Sequence, residues 1–374
     1  MKQRVIAILL ILLMLLSTLA GCGGTTTEDP GTTEEPEVIE TETLEPEPDP
    51  EPVIPMGENP LTGLPLELEY VNNRPVAVIL NNLYQAMPQL GISQADIIYE
   101  FPAEGGITRM LALFQTLKDV DTVGSIRSAR PYFLEAALGH DAFLVHAGGS
   151  EDAYSNIKQW GINNMDGVRG NADAKIFWRD ATRKKSLGYE HSLVTSGEKI
   201  QTYIDGTSWR KEHESGYTYT QVFVEDGTPK NGQVSNYFEL YYSSYKTGRF
   251  TYDAESGLYK IVQYGSPHVD GNTGEQLAVT NVLVLETDVS VIPGDAEGRL
   301  KVRMTGSGQG TYFCGGTFLP IQWSKKDKNS PYVYTTVEGA PLKFEQGTSY
   351  ICVMDPHKSK LTITTETEDT TTAE

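Results

Sequence analysis

Near residue 210 the hydrophobic pattern of the chain changes character, and this change limits its possible folds more than any other feature. From Pro75 to about Asp205, short apolar runs alternate with helical stretches. Val76-Ala77-Val78-Ile79-Leu80 is continuously apolar, as strands covered on both faces are. Further strands are expected over 96–101, 108–115 and 142–146, and helices over 131–138, 151–160 and 196–204. The mixture predicts an α/β or α+β domain over 59–210. After Trp209 helical patterns nearly vanish. Strand-like runs follow at 237–242, 250–252, 258–263, 282–286, 300–304, 312–318, 332–337 and 348–354. Turn signals such as Lys246-Thr247-Gly248, Asp270-Gly271-Asn272 and Glu338-Gly339 separate them. A mostly antiparallel, β-rich domain over 211–358 is the expectation.

The ends of the chain read differently. Val5 to Leu16 is an apolar run behind Lys2 and Arg4. It is shorter than the roughly 20 residues that cross a bilayer, which points to a secretory signal over 1–22. Leu19-Ala20-Gly21-Cys22 closes it and resembles a bacterial lipobox, in which the cysteine is acylated and becomes the first mature residue. Two or three acyl chains on Cys22, palmitate among them, anchor stably where one is marginal. The expected location is the outer face of the cell membrane. Residues 23–58 hold twelve Asp or Glu and no Lys or Arg, with many Thr and Pro. Such a segment cannot bury enough surface to offset its conformational entropy, so a disordered stalk is expected. The Thr-rich stretch 359–374 reads as a second disordered end. Much of the net charge of −20 therefore solvates the tether. The mildly acidic body offers no basic footprint for nucleic acid.

The residues able to do chemistry gather at strand ends in the first half. Glu100 and Glu104 flank a Pro and Gly turn that ends at Arg109. Two nearby carboxylates divide acid and base roles when their environments separate their pKa values, and they equally pair with arginine. Gly124-Ser125-Ile126-Arg127-Ser128-Ala129-Arg130-Pro131 sets two guanidinium forks, Arg127 and Arg130, before a helix with Pro131 at its first position. Such forks suit a carboxylate, phosphate or sulfate, or neutralise Glu100 and Glu104. In Leu144-Val145-His146-Ala147-Gly148-Gly149-Ser150, a strand ends at a histidine, passes two glycines and opens a helix capped by Ser150. Glycines let backbone approach a ligand, and the C-terminal ends of strands are where α/β domains place ligands. Glu100, Glu104 and His146 are thus the catalytic candidates; Arg109, Arg127, Arg130, Gly148, Gly149 and Ser150 are the ligand-binding candidates. Arg179 and His191 add weaker signals. His268 and Asp270 read as a turn cap, and Tyr237, Tyr241, Tyr242 and Tyr245 as packing more than sugar stacking. Cys314 and Cys352 leave a disulfide open. No Cys-Cys or Cys-His zinc spacing and no HExxH occurs, so no metal ligand is named and no cofactor is implied.

Asn59-Pro60-Leu61-Thr62-Gly63, Arg74-Pro75-Val76-Ala77-Val78, Ser93 to Glu100 and Glu104-Gly105-Gly106-Ile107-Thr108-Arg109 resemble the YerB-like lipoprotein family of Gram-positive bacteria. So do Gly124 to Arg130, His146 to Ser150, Gly310-Thr311-Tyr312-Phe313 and Ile321-Gln322-Trp323-Ser324-Lys325. The resemblance spans roughly 59 to 355. It implies an α/β part followed by a β-rich part, and no settled activity. Family members often carry Pro-His-Asn where this chain has Glu190-His191-Ser192, so only His191 carries over. Three functional readings follow. The first is recognition of a cell-wall glycan or other anionic envelope ligand. The second is a hydrolase acting on glycosidic or phosphodiester bonds, and the third an envelope assembly factor using the β-rich face.

Overall fold

A mixed sheet runs through the middle of the molecule and takes strands from both halves of the chain. The computed structural model describes residues 54–170 and 172–365. The signal sequence, Cys22, most of the acidic stalk and the end of the tail lie outside the described residues. The sheet order is Gln233–Val234, Thr317–Lys325, Gly306–Cys314, Asn281–Glu286, Ser349–Met354, Ile97–Pro102, Thr108–Phe114, Val76–Asn81, Phe143–His146 and Asn164–Asp166. Val333–Thr336 pairs onto Thr317–Lys325 as an eleventh strand. The two halves meet where Ser349–Met354 runs parallel to Ile97–Pro102. The change of pattern near residue 210 is therefore not a break in the sheet, and the described residues belong to one compact unit.

Both faces of this sheet are covered, which explains the unbroken apolar runs of Val76–Asn81 and Ser349–Met354. Helices Pro131–Gly139 and Glu151–Trp160 lie on one face, with Leu111, Leu144, Phe133 and Ala153 in one core. The other face carries helix Gly197–Asp205 and a six-stranded antiparallel sheet built on Tyr237–Tyr241, Thr247–Asp253 and Leu258–Gln263. Phe238 of that second sheet stacks on Phe313 of the first, with ring centroids 3.6 Å apart. The fold is thus α/β in its first half and mostly antiparallel in its second, as the sequence predicts. Among the described residues no helix is long and apolar enough to cross a membrane.

Several local expectations need correction. The run 312–318 is a hairpin rather than one strand: Gly315 and Gly316 both have positive φ and turn the chain between two nine-residue strands. Residues 361–364, expected in the disordered tail, belong to the edge strand Lys360–Thr364 paired with Tyr237–Tyr241. Leu361 and Ile363 alternate with Thr and pack on the core, a period-2 signal hidden by Thr-rich composition. At the other end Met56–Glu58 pairs with Pro65–Glu67, so ordered chain starts before residue 59. Cys314 and Cys352 are free, buried thiols assigned to the cores on opposite faces of the sheet.

Candidate functional site

Strands Val76–Asn81 and Phe143–His146 run parallel and pair over Val76–Val78. Beyond that they splay, and residues 125–129 enter the fork. Arg127 N donates to Ile79 O and Ala147 N donates to Arg127 O, each at 2.9 Å. Ala129 N then donates to Gly148 O at 2.9 Å, and Ser150 N to Ala129 O at 3.2 Å. This inserted segment and the Gly148-Gly149 turn form one wall of a cleft at the C-terminal ends of parallel strands, where open α/β sheets place their ligands. Gly148 has φ +76°, a left-handed conformation that a side chain would strain. Ser150 caps helix Glu151–Trp160 by accepting from Ala153 N.

The cleft encloses about 370 Å³. Its rim carries Arg127, Arg169 and Arg179, with Ser128, Gly148 and Gly149 inside and the rings of Tyr154 and Tyr189 beside them. Arg169 lies over Tyr154 at 4.4 Å and Arg179 over Tyr189 at 3.9 Å, contacts that hold both guanidiniums in fixed planes. Arg127 pairs with Glu190 at 2.6 Å and Arg169 with Glu151 at 3.2 Å. Arg179 donates to the carbonyl of Tyr189. Of the three guanidiniums, Arg179 is the one without a carboxylate partner among the described residues.

Glu104, Arg109 and Arg130 form a separate cluster. Glu104 Oε1 receives Arg130 Nη2, and Arg109 Nη2 at 3.4 Å. Burial pushes the Glu104 carboxyl up, but the two guanidiniums outweigh it and hold it below its ordinary value. Burial, then the neighbouring Arg130, lowers Arg109 to about 10. Arg109 also donates to Ser128 O and Arg130 to Ala129 O, both at 2.9 Å. The cluster therefore fixes the backbone that carries Arg127 and Ser128 into the cleft.

His146 is fully buried beneath the turn. Its Nδ1 lies 2.8 Å from Gly148 O and its Nε2 3.0 Å from Asn164 Oδ1, so both ring nitrogens are engaged by protein. Asp166, which sequence reasoning missed, organises the same floor. Its carboxylate accepts from Gly148 N at 2.8 Å, Val168 N at 2.9 Å and the Tyr154 hydroxyl at 2.8 Å.

Glu100 is elsewhere. It points to the opposite face from Arg109, into a buried network with Asn82, Thr108, Tyr350 and Lys246. Three strand positions separate its strand from that of His146, about 14 Å at the usual inter-strand spacing. The proposed acid–base pairing of Glu100 with His146 is excluded by that geometry. Arg127, Gly148 and Gly149 are brought together in the cleft; Ser150, Arg109, Arg130, Glu104 and His146 support it from behind. Tyr154 comes from helix Glu151–Trp160, Arg179 from the short strand Trp178–Arg179, Tyr189 from the 3-10 turn Tyr189–His191 and Arg169 from a loop. An arginine between glycines just after a strand, Gly167-Val168-Arg169-Gly170, is the one signal that marks Arg169. His268 and Asp270 are not an isolated turn cap either. His268 is buried against Gln89 and Gln263, and Asp270 binds the amides of Gly91 and Ser93.

Residues 61–210 match the N-terminal domain, and residues 238–351 the C-terminal domain, of the family described as protein of unknown function (DUF3048). The chain is 31% identical over 297 residues to "Putative lipoprotein YerB" of Bacillus subtilis (strain 168), which covers 79% of this chain and 85% of that one. A crystal structure of YerB protein from Bacillus subtilis matches with a TM-score of 0.70 at 29% identity, covering 82% of this chain and 99% of that one.

Proposed function

The chain belongs to the DUF3048 family of proteins of unknown function, and from that membership and the cleft we propose a lipoprotein that recognises an anionic, sugar-containing envelope component. It is held through Cys22 on the outer face of the membrane and breaks no bond. The lipobox-like Leu19 to Cys22 and the name of the Bacillus relative support the anchor. The observation that carries the recognition is the rim: Arg179, over the Tyr189 ring and without a carboxylate partner among the described residues, lines the same cleft as Arg127 and Arg169. Guanidinium forks suit a planar or tetrahedral anion. The hydrolase reading, with Glu100 or Glu104 and His146 as acid and base, finds less support: Glu100 lies on the far face of the sheet, Glu104 is ion-paired with Arg109 and Arg130, and His146 is closed off under the turn.

The test is equilibrium binding of soluble wall-glycan fragments to the full chain in detergent. Carboxylate-bearing fragments should bind more tightly than the same fragments with their carboxylates amidated. Arg179→Ala should weaken the charged fragments about tenfold or more, the effect of one charged hydrogen bond. Equal binding of both fragment types, or no change in Arg179→Ala, would remove the recognition reading.

A further inference from the structure

Arg127 and Glu190 differ in how deeply their side chains are buried. The backbone of Arg127 is pinned on both sides, by Ile79 O and by Ala147 N. Its side chain is 17% exposed, and its Nε is buried without a hydrogen-bond partner. Glu190 sits on the three-residue 3-10 turn Tyr189–His191, and its side chain is 64% exposed. Its carboxylate reaches into the cleft to meet Arg127 Nη2 at 2.6 Å. Among the described residues this is the sole carboxylate on Arg127, and the contact holds Glu190 below its ordinary pKa. A largely buried guanidinium is therefore met by a largely exposed carboxylate.

We infer that Glu190 is a resident stand-in for the ligand, and that the ligand's own anionic group is a sugar-borne carboxylate that displaces it from Arg127. This rests on the reading of the cleft as an anion-recognition site. A carboxylate matches the group it displaces in shape and charge, so the guanidinium exchanges one partner for an equivalent one. A doubly charged phosphate monoester fits less well. The adjoining helix begins with Glu151 and Asp152, whose charges oppose a dianion near the Gly149 turn. The exposed position of Glu190 lets it swing to water without leaving a buried charge unpaired.

The experiment measures binding of three probes to the full chain in detergent. They are N-acetylmuramic acid, N-acetylglucosamine and N-acetylglucosamine 6-phosphate. The unmodified protein should prefer N-acetylmuramic acid, and Glu190→Gln should bind it about five- to tenfold more tightly, with the neutral sugar unchanged. Glu190→Ala should show the same gain, which separates lost competition from a new amide contact. Thermal melting of both variants should match the parent, because the replaced group is exposed. If the parent prefers anionic sugars but neither variant gains affinity, the stand-in role is wrong while the cleft reading survives. Tighter binding of the phosphate sugar than of N-acetylmuramic acid overturns the carboxylate assignment. If no anionic probe binds better than the neutral one in any of the three proteins, the cleft reading itself fails and this inference with it.

Discussion

Lys246→Met is expected to destabilise the protein by about 3–5 kcal/mol, the cost of stranding one charge of a buried pair. Lys246 and Glu100 are both fully buried, with Nζ 2.9 Å from Oε1. Glu100 also accepts from Asn82 at 3.0 Å, Thr108 at 2.6 Å and the Tyr350 hydroxyl at 2.6 Å. Burial alone would push this carboxyl up, but Lys246, then Thr108 and Tyr350, outweigh it and hold it below its ordinary value. Its stabilising effect is therefore complete above the ordinary carboxylate range and is lost as pH falls through the lower folded-state value. In Lys246→Met the orphaned carboxyl rises instead, so acid protonates it and the penalty should shrink as pH falls toward 4. Glu100→Gln combined with Lys246→Met removes both charges and should recover most of the loss. Denaturant midpoints at pH 7 and at about pH 4 check this. A loss under 1 kcal/mol at neutral pH would mean that the pair contributes nothing that solvent cannot replace.

Cys22→Ala is expected to abolish membrane attachment of the processed chain. Under the proposed lipid anchor the acyl chains on Cys22 carry the attachment, because the apolar run of 5–16 is short of a spanning length. The mature chain should appear in the medium, or accumulate unprocessed with its signal intact. Fractionation with and without detergent distinguishes these outcomes. A cleaved Cys22→Ala chain that still needs detergent for release would rule out the lipid anchor.

The sequence made the local elements legible and left the long-range ones dark. Helix Glu151–Trp160 was readable to its ends, because Ser150 and Gly161 cap an amphipathic run. The shared sheet was not. Ser349–Met354 and Ile97–Pro102 are parallel neighbours about 250 residues apart, and such pairing leaves no mark in local periodicity. Glu100 interrupts an apolar strand, which signals a buried partner. That partner, Lys246, is hidden in what reads as the turn Lys246-Thr247-Gly248. The turn closes one step earlier, where Lys246 N donates to Ser243 O, and Lys246 points inward. The cleft was half legible. Arg127 and Gly148-Gly149 stand in strand-end motifs with a physical rationale. Arg179 reaches the same place from a two-residue strand, and Tyr189 and Glu190 from a single 3-10 turn. These elements are too short to leave a periodic signal, and their course depends on tertiary contacts such as Arg183 with the carbonyls of Ala86 and Pro88. His146 carried a strong motif for a structural reason: it braces the Gly148 carbonyl instead of facing ligand.

The most direct test of the central claim separates recognition from support within the cleft, by measuring stability and anion binding together in Arg127→Ala and His146→Ala. Arg127→Ala should abolish preferential binding of a carboxylate-bearing wall sugar while changing unfolding free energy by less than about 1 kcal/mol, as expected of a rim ion pair. His146→Ala should instead cost about 2–3 kcal/mol by emptying a fully buried position and removing the ring contact to Asn164 Oδ1. The account would be contradicted by Arg127→Ala that binds as the parent does, or that loses binding only because it unfolds.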